Sequence, residues 1–561
     1  MPGQYAPHLL ELPRDGLVGA TCSGDDECSD GTSCFEYAGR RECLCRPGLT
    51  ACGRSCRDLG KDPSHCGACG ASCPGGGCFS GSCAPVALPG ATTARSAPIA
   101  LTPDLLAGWM EAYPERSLNG GPANAGAALW LGYFSASRDT RYTVGTSWSS
   151  WRIAGPPLRP AQSERVCAWA DPWATSSGLT GLEYLSFLTW PKEAGQCVHK
   201  SCIGVGAATG EGLASGAWQY PIACLNPINE AADGQTIHFD PGAPTLWATA
   251  NSSKGFFYLY AAPNCTGGAP GGSSCQLAEL TPGPVPAVHR DLTEAAPFAG
   301  HAPHVFGHTN VAVNPCTHHA VAPYRVQESD TRRTPPEIRL AFVAANGVVN
   351  TAVIHRGDAW ARNDVCADGK PPTEQVCGCP GCASHLRVVP RVQVATKYDA
   401  GYGRCFAYLA YETVDLARSP RRMQAKLSIV DITREDSPTV VRDIVMDRRG
   451  DGQTMMPTVA VSDFTRDVGF FFYDDDGSHC NTRYMGLVDG NLMLSGQTWV
   501  TLSAAPFPNL SFGDYVGTIE NGLQGGDLLP TWTEPTRAAG GPFRCDGSAW
   551  KVGTTAVRVH P

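Results

Sequence analysis

Beyond residue 104 a single beat recurs, and it limits the folds open to the chain. Gly-x-x-Trp appears as Gly145-Thr-Ser-Trp148, Gly357-Asp-Ala-Trp360, Gly496-Gln-Thr-Trp499 and Gly547-Ser-Ala-Trp550, with a shortened Gly216-Ala-Trp218. Steps between glycines 145, 216, 357 and 496 are 71, 141 and 139 residues, or one, two and two units of roughly 70. A second marker keeps the same time: an apolar strand, a turn, then an aromatic strand. It is seen at Pro244-Thr-Leu-Trp-Ala before Gly255-Phe-Phe-Tyr-Leu-Tyr260 and at Pro390-Arg-Val-Gln-Val before Cys405-Phe-Ala-Tyr-Leu-Ala-Tyr411. It returns at Pro457-Thr-Val-Ala-Val before Gly469-Phe-Phe-Phe-Tyr473, with looser copies starting at Asp171, Thr309 and Asp514.

Short apolar or alternating segments bounded by Gly, Pro and Asp read as strands, and helical periodicity is scarce. A small antiparallel sheet repeated about six times exposes both faces unless its copies pack radially. The expected fold is therefore all-β: a six-bladed β-propeller over 105–561, preceded by a small disulfide-rich module. A tandem of β-sandwiches and a seven-bladed ring are the alternatives. Gly (64) and Pro (45) make up nearly a fifth of the chain and charged residues only 17%, which fits a loop-rich β protein and not coiled coils. The net charge of −9 provides no basic field for nucleic acid. No run of about 18 apolar residues predicts a membrane span.

Twelve of the 26 cysteines fall within the first 83 residues. That density points to an oxidising compartment, hence a secreted or cell-surface protein, tethered by lipid or released. Met1-Pro-Gly-Gln-Tyr-Ala shows no basic-then-apolar leader, so a signal peptide is taken as already removed. Residues 1–21 read as an N-terminal extension. Residues 22–83 divide by spacing into two six-cysteine units. The first has Cys22, Cys28, Cys34, Cys43, Cys45 and Cys52; the second has Cys56, Cys66, Cys69, Cys73, Cys78 and Cys83. Units so short need covalent staples, and six cysteines leave fifteen pairings open. Cys66 and Cys69 beside His65 allow zinc, but disulfides are the expectation. Residues 84–104, rich in Pro, Ala and Thr, read as a linker. Cys265 and Cys275 flank a Gly-rich loop and are expected to pair with each other.

Several residues here resemble known families. Cys43-Leu-Cys45 followed by Arg-Pro-Gly is similar to the ending of an EGF-like module. Asp62-Pro-Ser-His-Cys-Gly-Ala-Cys-Gly-Ala-Ser-Cys73 resembles cysteine-rich modules of secreted bacterial proteins. Ser137-Arg-Asp139 ahead of Gly145-Thr-Ser-Trp148, and Asp489 ahead of Gly496-Gln-Thr-Trp499, resemble degenerate Asp-boxes of sialidase-like six-bladed propellers. Phe512-Gly-Asp-Tyr-Val-Gly517 and Pro530-Thr-Trp-Thr-Glu534 resemble a last blade of that family. The resemblance implies that an Asp locks a hairpin, that Trp packs between sheets, and that both lie away from the catalytic face. Sialidase chemistry needs an arginine triad, a Tyr–Glu nucleophile pair and an acid/base Asp. The early Arg-Ile-Pro segment is absent, so the mechanism is not carried over. Tyr515, Glu534, Asp514 and Arg391 are retained as catalytic candidates.

If residues preceding each innermost strand line the channel mouth, then His238, Asp240, His308, Arg391 and Asp514 are the binding candidates. Met455 and Met456 join them there. Five of the 14 histidines, His301, His304, His308, His318 and His319, lie within nineteen residues. Imidazoles so clustered suit zinc or copper. Asp474, Asp476 and Asn481 at one turn offer hard oxygens for calcium, without EF-hand spacing. The functions that follow are a binding module for a glycan or an extracellular protein at the channel mouth, a glycan-active hydrolase or lyase, or a metal-dependent protein.

Overall fold

The computed structural model describes backbone strands along most of the chain. Its side chains are described mainly at 20–69, 310–357, 392–446, 452–503 and a few positions from 528 to 557. The chain forms two units: 1–84 with 139–146 and 561, and 85–138 with 147–560.

The first unit is held by disulfides. Cys22 pairs with Cys34, Cys28 with Cys43, Cys45 with Cys56 and Cys52 with Cys69. The last two bonds run across the expected division between two six-cysteine units, so the spacing misplaced that border. Among its described residues the buried apolar side chains are Ala20, Cys43 and Cys52, and covalent links add to this burial. Cys78 and Cys83 stand opposite each other in a two-strand hairpin. Cys66, Cys73, Cys265 and Cys275 lie outside the described residues.

The second unit is nearly all β. Seven sheets of four or five strands follow in chain order, spanning 94–153, 166–209, 235–291, 304–356, 391–445, 453–501 and 518–554. Pairing is antiparallel except where His308–Thr309 joins Arg391–Asp399 in parallel. The sequence period suggested six units; among the described residues there are seven sheets, because the six apolar–aromatic copies fall one to each of the second to seventh and the first, over 94–153, carries none. The expected linker also supplies strands. Ala94–Ser96 and Ile99–Ala100 pair with Leu105–Glu111 of the first sheet, and Val86–Ala87 pairs with Trp550–Thr554 of the seventh. These pairings cover sheet edges that would otherwise be open. First strands of successive sheets lie against each other, Val166–Ser177 with Gln235–Phe239, Arg391–Asp399 with Gln453–Val461 and Gln453–Val461 with Thr518–Glu520. The fourth sheet meets its neighbours through Ala312–Val313 and Ala320–Gln327, and Thr518–Glu520 of the seventh lies against Ile99–Ala100. The succession is propeller-like.

Period-two alternation explains why the sheets stack. In Arg404–Asp415, Phe406, Tyr408 and Ala410 enter a core with Val459, Val461, Phe470, Phe472 and Leu487 of the sixth sheet. Cys405, Ala407, Leu409 and Tyr411 point the other way, into a core with Val321, Ile338, Leu340 and Phe342 of the fourth. A strand buried on both faces must be apolar throughout, which is why it reads as a continuous run. Each large side chain so buried contributes about 1.5–3 kcal/mol.

Close approach sets other residues. A Cβ on Gly486 would lie 2.8 Å from the carbonyl oxygen of Phe470 and against the Phe471 ring. Midway along Arg391–Asp399, the Asn310 side-chain amide donates to Val394 O at 2.8 Å and accepts from Val394 N at 2.6 Å, as a strand would. At one end of the sheets, further polar links cross between neighbours. Asn314 donates to Ile432 O and to Glu435, and His319 Nδ1 lies 2.7 Å from Glu435 Oε2. Arg466 bonds Asp399 at 2.8 Å. A disulfide, Cys316–Cys405, fastens the fourth sheet to the fifth at this end.

Gly486→Ala should lower unfolding free energy by about 1–3 kcal/mol in urea denaturation, since backbone cannot yield to the added methyl. Replacing both Cys316 and Cys405 by Ala should cost roughly 2–4 kcal/mol. Non-reducing peptide mapping of the unaltered protein should recover that pair.

Candidate functional site

The two ends of the sheets differ. The end carrying Asn314, Asp399 and Arg466 is the turn end, where the first and second strands of a sheet join. At the opposite end, where first strands begin and second strands finish, buried polar groups gather. Arg325, Glu337, Arg339, Gln393, Glu412, Thr413, Gln453, Thr454, Asp474, Asp475 and Thr482 are all at most 8% exposed there. Polar side chains are not buried at this density without partners or a task.

Arg325, Glu412 and Asp475 are the fully buried charged groups among these. Arg325 closes the apolar run of Ala320–Gln327, and its Nη2 donates to the backbone carbonyl of Glu412 at 2.9 Å. Desolvation pulls its pKa down to about 10, opposed by the nearby Glu412 carboxylate and Tyr411. It stays charged at neutral pH, at a cost of about 3 kcal/mol. Because the folded-state value lies below the unfolded one, that cost is complete below pH 10 and fades as pH rises beyond it. Glu412, itself buried, accepts the Met456 N–H at 2.9 Å. Met456 has φ 50°, at the irregularity between Met455 and Thr458, so this carboxylate steadies a strained turn of backbone.

A polar seam continues outward between the fourth and fifth sheets. Lys426 Nζ lies 3.0 Å from Asp443 Oδ2 and 3.1 Å from His355 Nδ1, and 5.9 Å from the Tyr411 ring centroid. Tyr411 Oη meets Ser428 Oγ at 2.8 Å, and Ser428 donates to Asp443. Lys426 has only donors, so His355 Nδ1 accepts this hydrogen bond. The Asp443 side chain is 43% exposed, so the seam opens to solvent at its outer end. It presents a cation, a carboxylate, an imidazole and hydroxyls within a few ångströms.

The residues named from sequence are placed as follows. His308 and Arg391 stand opposite each other in the parallel pair, at the polar end. His304 is opposite Gln327 at the same end. His318 and His319 are at the turn end, with the length of Ala320–Gln327 between, roughly 23 Å at 3.3 Å per residue. The four described histidines of this run, His304, His308, His318 and His319, are therefore not one cluster, and His319 is engaged with Glu435. His238 is next to last in Gln235–Phe239, opposite Trp247. It stands at the far end of a first strand and not ahead of one, because the sheet has an additional strand before the apolar run at 245. Met455 and Met456 are buried within Gln453–Val461. Glu534 is opposite Lys551 in the seventh sheet. Asp474 is buried and opposite Arg483, and Asp476 follows the strand. Asp240, His301, Asn481, Asp514 and Tyr515 lie outside the described residues.

Asp489 accepts the Gly496 N–H at 2.6 Å, tying the turn between the third and fourth strands of the sixth sheet. Trp499 meets Phe472 edge-on at 6.1 Å but is 56% exposed, so it covers the sheet edge and is not packed between sheets. Cys22, Cys28 and Cys43 have sulfurs within 4.8 Å of one another. All three are consumed in disulfides, leaving no thiolate for a metal. The five described disulfides mark an extracellular or similarly oxidising environment. Among the described residues no helix is long and apolar enough to cross a membrane.

Sequence reading missed Glu412, His355, Lys426 and Asp443. A signal was available: the second strand of three successive sheets ends in tyrosine followed by a charge, as Tyr324-Arg325, Tyr411-Glu412 and Tyr473-Asp474.

No family model matches the chain, and no curated protein sequence matches it. Among solved structures it is similar to a Penicillium chrysogenum alpha-L-arabinanase complexed with arabinobiose. The TM-score is 0.39 at 10% identity, covering 85% of this chain and 98% of that one. A Dos1 propeller gives TM-score 0.36 at 10% identity, covering 85% and 95%. A Trypanosoma rangeli sialidase in complex with 2,3-difluorosialic acid gives 0.35 at 9%, covering 91% and 58%. At these values no residue role passes from them to this chain.

Arg325→Met should lower unfolding free energy by about 3–5 kcal/mol, because it strands Glu412 without its counter-charge. Adding Glu412→Gln should recover much of this, since an amide oxygen still accepts from Met456. Urea denaturation of the single and double variants measures the coupling; strictly additive losses would show that the two charges do not interact.

Proposed function

We propose that the second unit is a seven-bladed propeller that binds an extracellular glycan at the polar end of its sheets. The observation that carries this is the one-sided gathering of polar groups. The turn end is stitched closed by a disulfide and inter-sheet links. The other end exposes the outer part of the Tyr411, Lys426, Asp443 and His355 seam. Alternating donors and acceptors around an aromatic ring suit a polyhydroxylated ligand, whose hydroxyls both donate and accept. Propeller closure is supported by the contacts of the first and last sheets and by Val86–Ala87 pairing with Trp550–Thr554. A secreted or surface location agrees with the disulfides.

A glycan-active enzyme is the alternative reading. It requires two carboxyl groups about 5–9.5 Å apart and open to substrate. Glu412 and Asp475 are fully buried, which favours binding over hydrolysis in the described part of this face.

The purified full chain should retain defined oligosaccharides on an array spanning neutral, acidic and amino sugars. His355→Ala and Asp443→Ala should each weaken the strongest hit about tenfold or more, or about 1.4 kcal/mol, in calorimetric titration. Retention of full affinity in both variants, or an array without hits, would overturn the assignment. Release of reducing ends from a bound glycan would transfer it to the enzyme reading.

A further inference from the structure

We propose that the sixth sheet holds a site for a hard cation of the calcium class, made by Gln453, Asp475 and Thr482. It goes beyond the glycan reading and does not depend on it. The strand register places Gln453 opposite Asp475, and Asp475 opposite Thr482. Residues paired across an antiparallel ladder project from the same face, with Cβ atoms about 4.5–5.5 Å apart. The three side chains thus form one row across three strands. The row is closed to bulk water: Gln453 is 2% exposed, Asp475 and Thr482 0%.

Two of its oxygens have no partner. Gln453 Oε1 and Thr482 Oγ1 are buried and make no hydrogen bond. A buried acceptor left in this state is unfavourable, and native structures resolve it with an ordered water or an ion. The chemistry of the row selects the ion. A carboxylate, an amide carbonyl and a hydroxyl contribute oxygen and neither nitrogen nor sulfur, the donor set of calcium and its hard relatives. Asp475 contributes the negative charge that favours a cation over a neutral water. Asp474, one residue earlier, projects from the opposite face, opposite Arg483. The row is therefore a different place from the Asp474, Asp476 and Asn481 turn.

The same face carries a built-in reporter. Tyr473 and Tyr484 are each two residues along from Asp475 and Thr482, about 7 Å. Their rings are 4.9 Å apart, and Tyr484 stacks on Trp532 at 5.2 Å. A lanthanide bound in the row would be excited through these rings.

The test uses the full chain, stripped with a chelator and titrated with terbium under excitation of Tyr and Trp. Expected is sensitised green emission that saturates near one equivalent and is displaced by calcium. Calcium at millimolar concentration should also raise the melting temperature by about 3 °C or more. Thr482→Val and Gln453→Leu should each weaken terbium at least tenfold, while Asp474→Asn leaves it unchanged. Asp475→Asn should abolish it; if that variant does not fold, the two neutral ones decide. Absence of both emission and thermal shift overturns the proposal, leaving water as the occupant. Emission that survives Thr482→Val and Gln453→Leu but is lost in Asp474→Asn overturns it in favour of the turn.

Discussion

The second unit depends on strands that have no outside. Arg404–Asp415 and Val468–Asp475 bury both faces, the first against two neighbouring sheets at once. A sheet covered on one side is content as half of a sandwich. A sheet that is apolar on both sides requires a neighbour on each, and every neighbour passes the same requirement onward. A linear stack would leave two raw faces at its ends. In this chain the first and last sheets meet, which is the physical reason that the repeats accumulate as they do.

The same demand shapes where polarity can go. Strand centres are occupied by Phe, Tyr, Val, Ile and Leu, so charged groups are driven to the ends. The two ends resolve this differently. At the turn end, side-chain amides and carboxylates join turns, as Glu435 does with Asn314 and His319. At the other end Arg325 and Glu412 are kept inside, at a desolvation cost that apolar side chains of similar volume would not incur. A purely structural solution was open to the fold, and it is the one used at the turn end.

Much of the fold was legible because burial on two faces leaves an uninterrupted mark. Gly469-Phe-Phe-Phe-Tyr473 and Cys405 to Tyr411 could hardly be anything but interior strands, and the structure places them so. The number of sheets was less legible. Several carry weak apolar runs, such as Gln235–Phe239, whose register comes from partners and not from its own pattern. Short segments before residue 105 looked like linker because strands of two or three residues have no period to detect. The site was read least well. Its groups are brought together across sheets, His355 from the fourth and Lys426 and Asp443 from the fifth. No local spacing announces such a meeting. Histidines close in sequence were a poor guide, since the chain between His304 and His319 runs from one end of a sheet to the other.

The pairing of Val86–Ala87 with Trp550–Thr554 has a consequence for synthesis. A ribosome delivers the two residues long before their partner. Until that strand emerges, the seventh sheet lacks an edge and the first lacks a neighbour, so the sheets between must wait, part-built, with apolar faces bare. Contacts this remote in sequence are slow to form. The covalently stapled unit precedes that latch in sequence, and its own disulfides can form while the remainder is still being made.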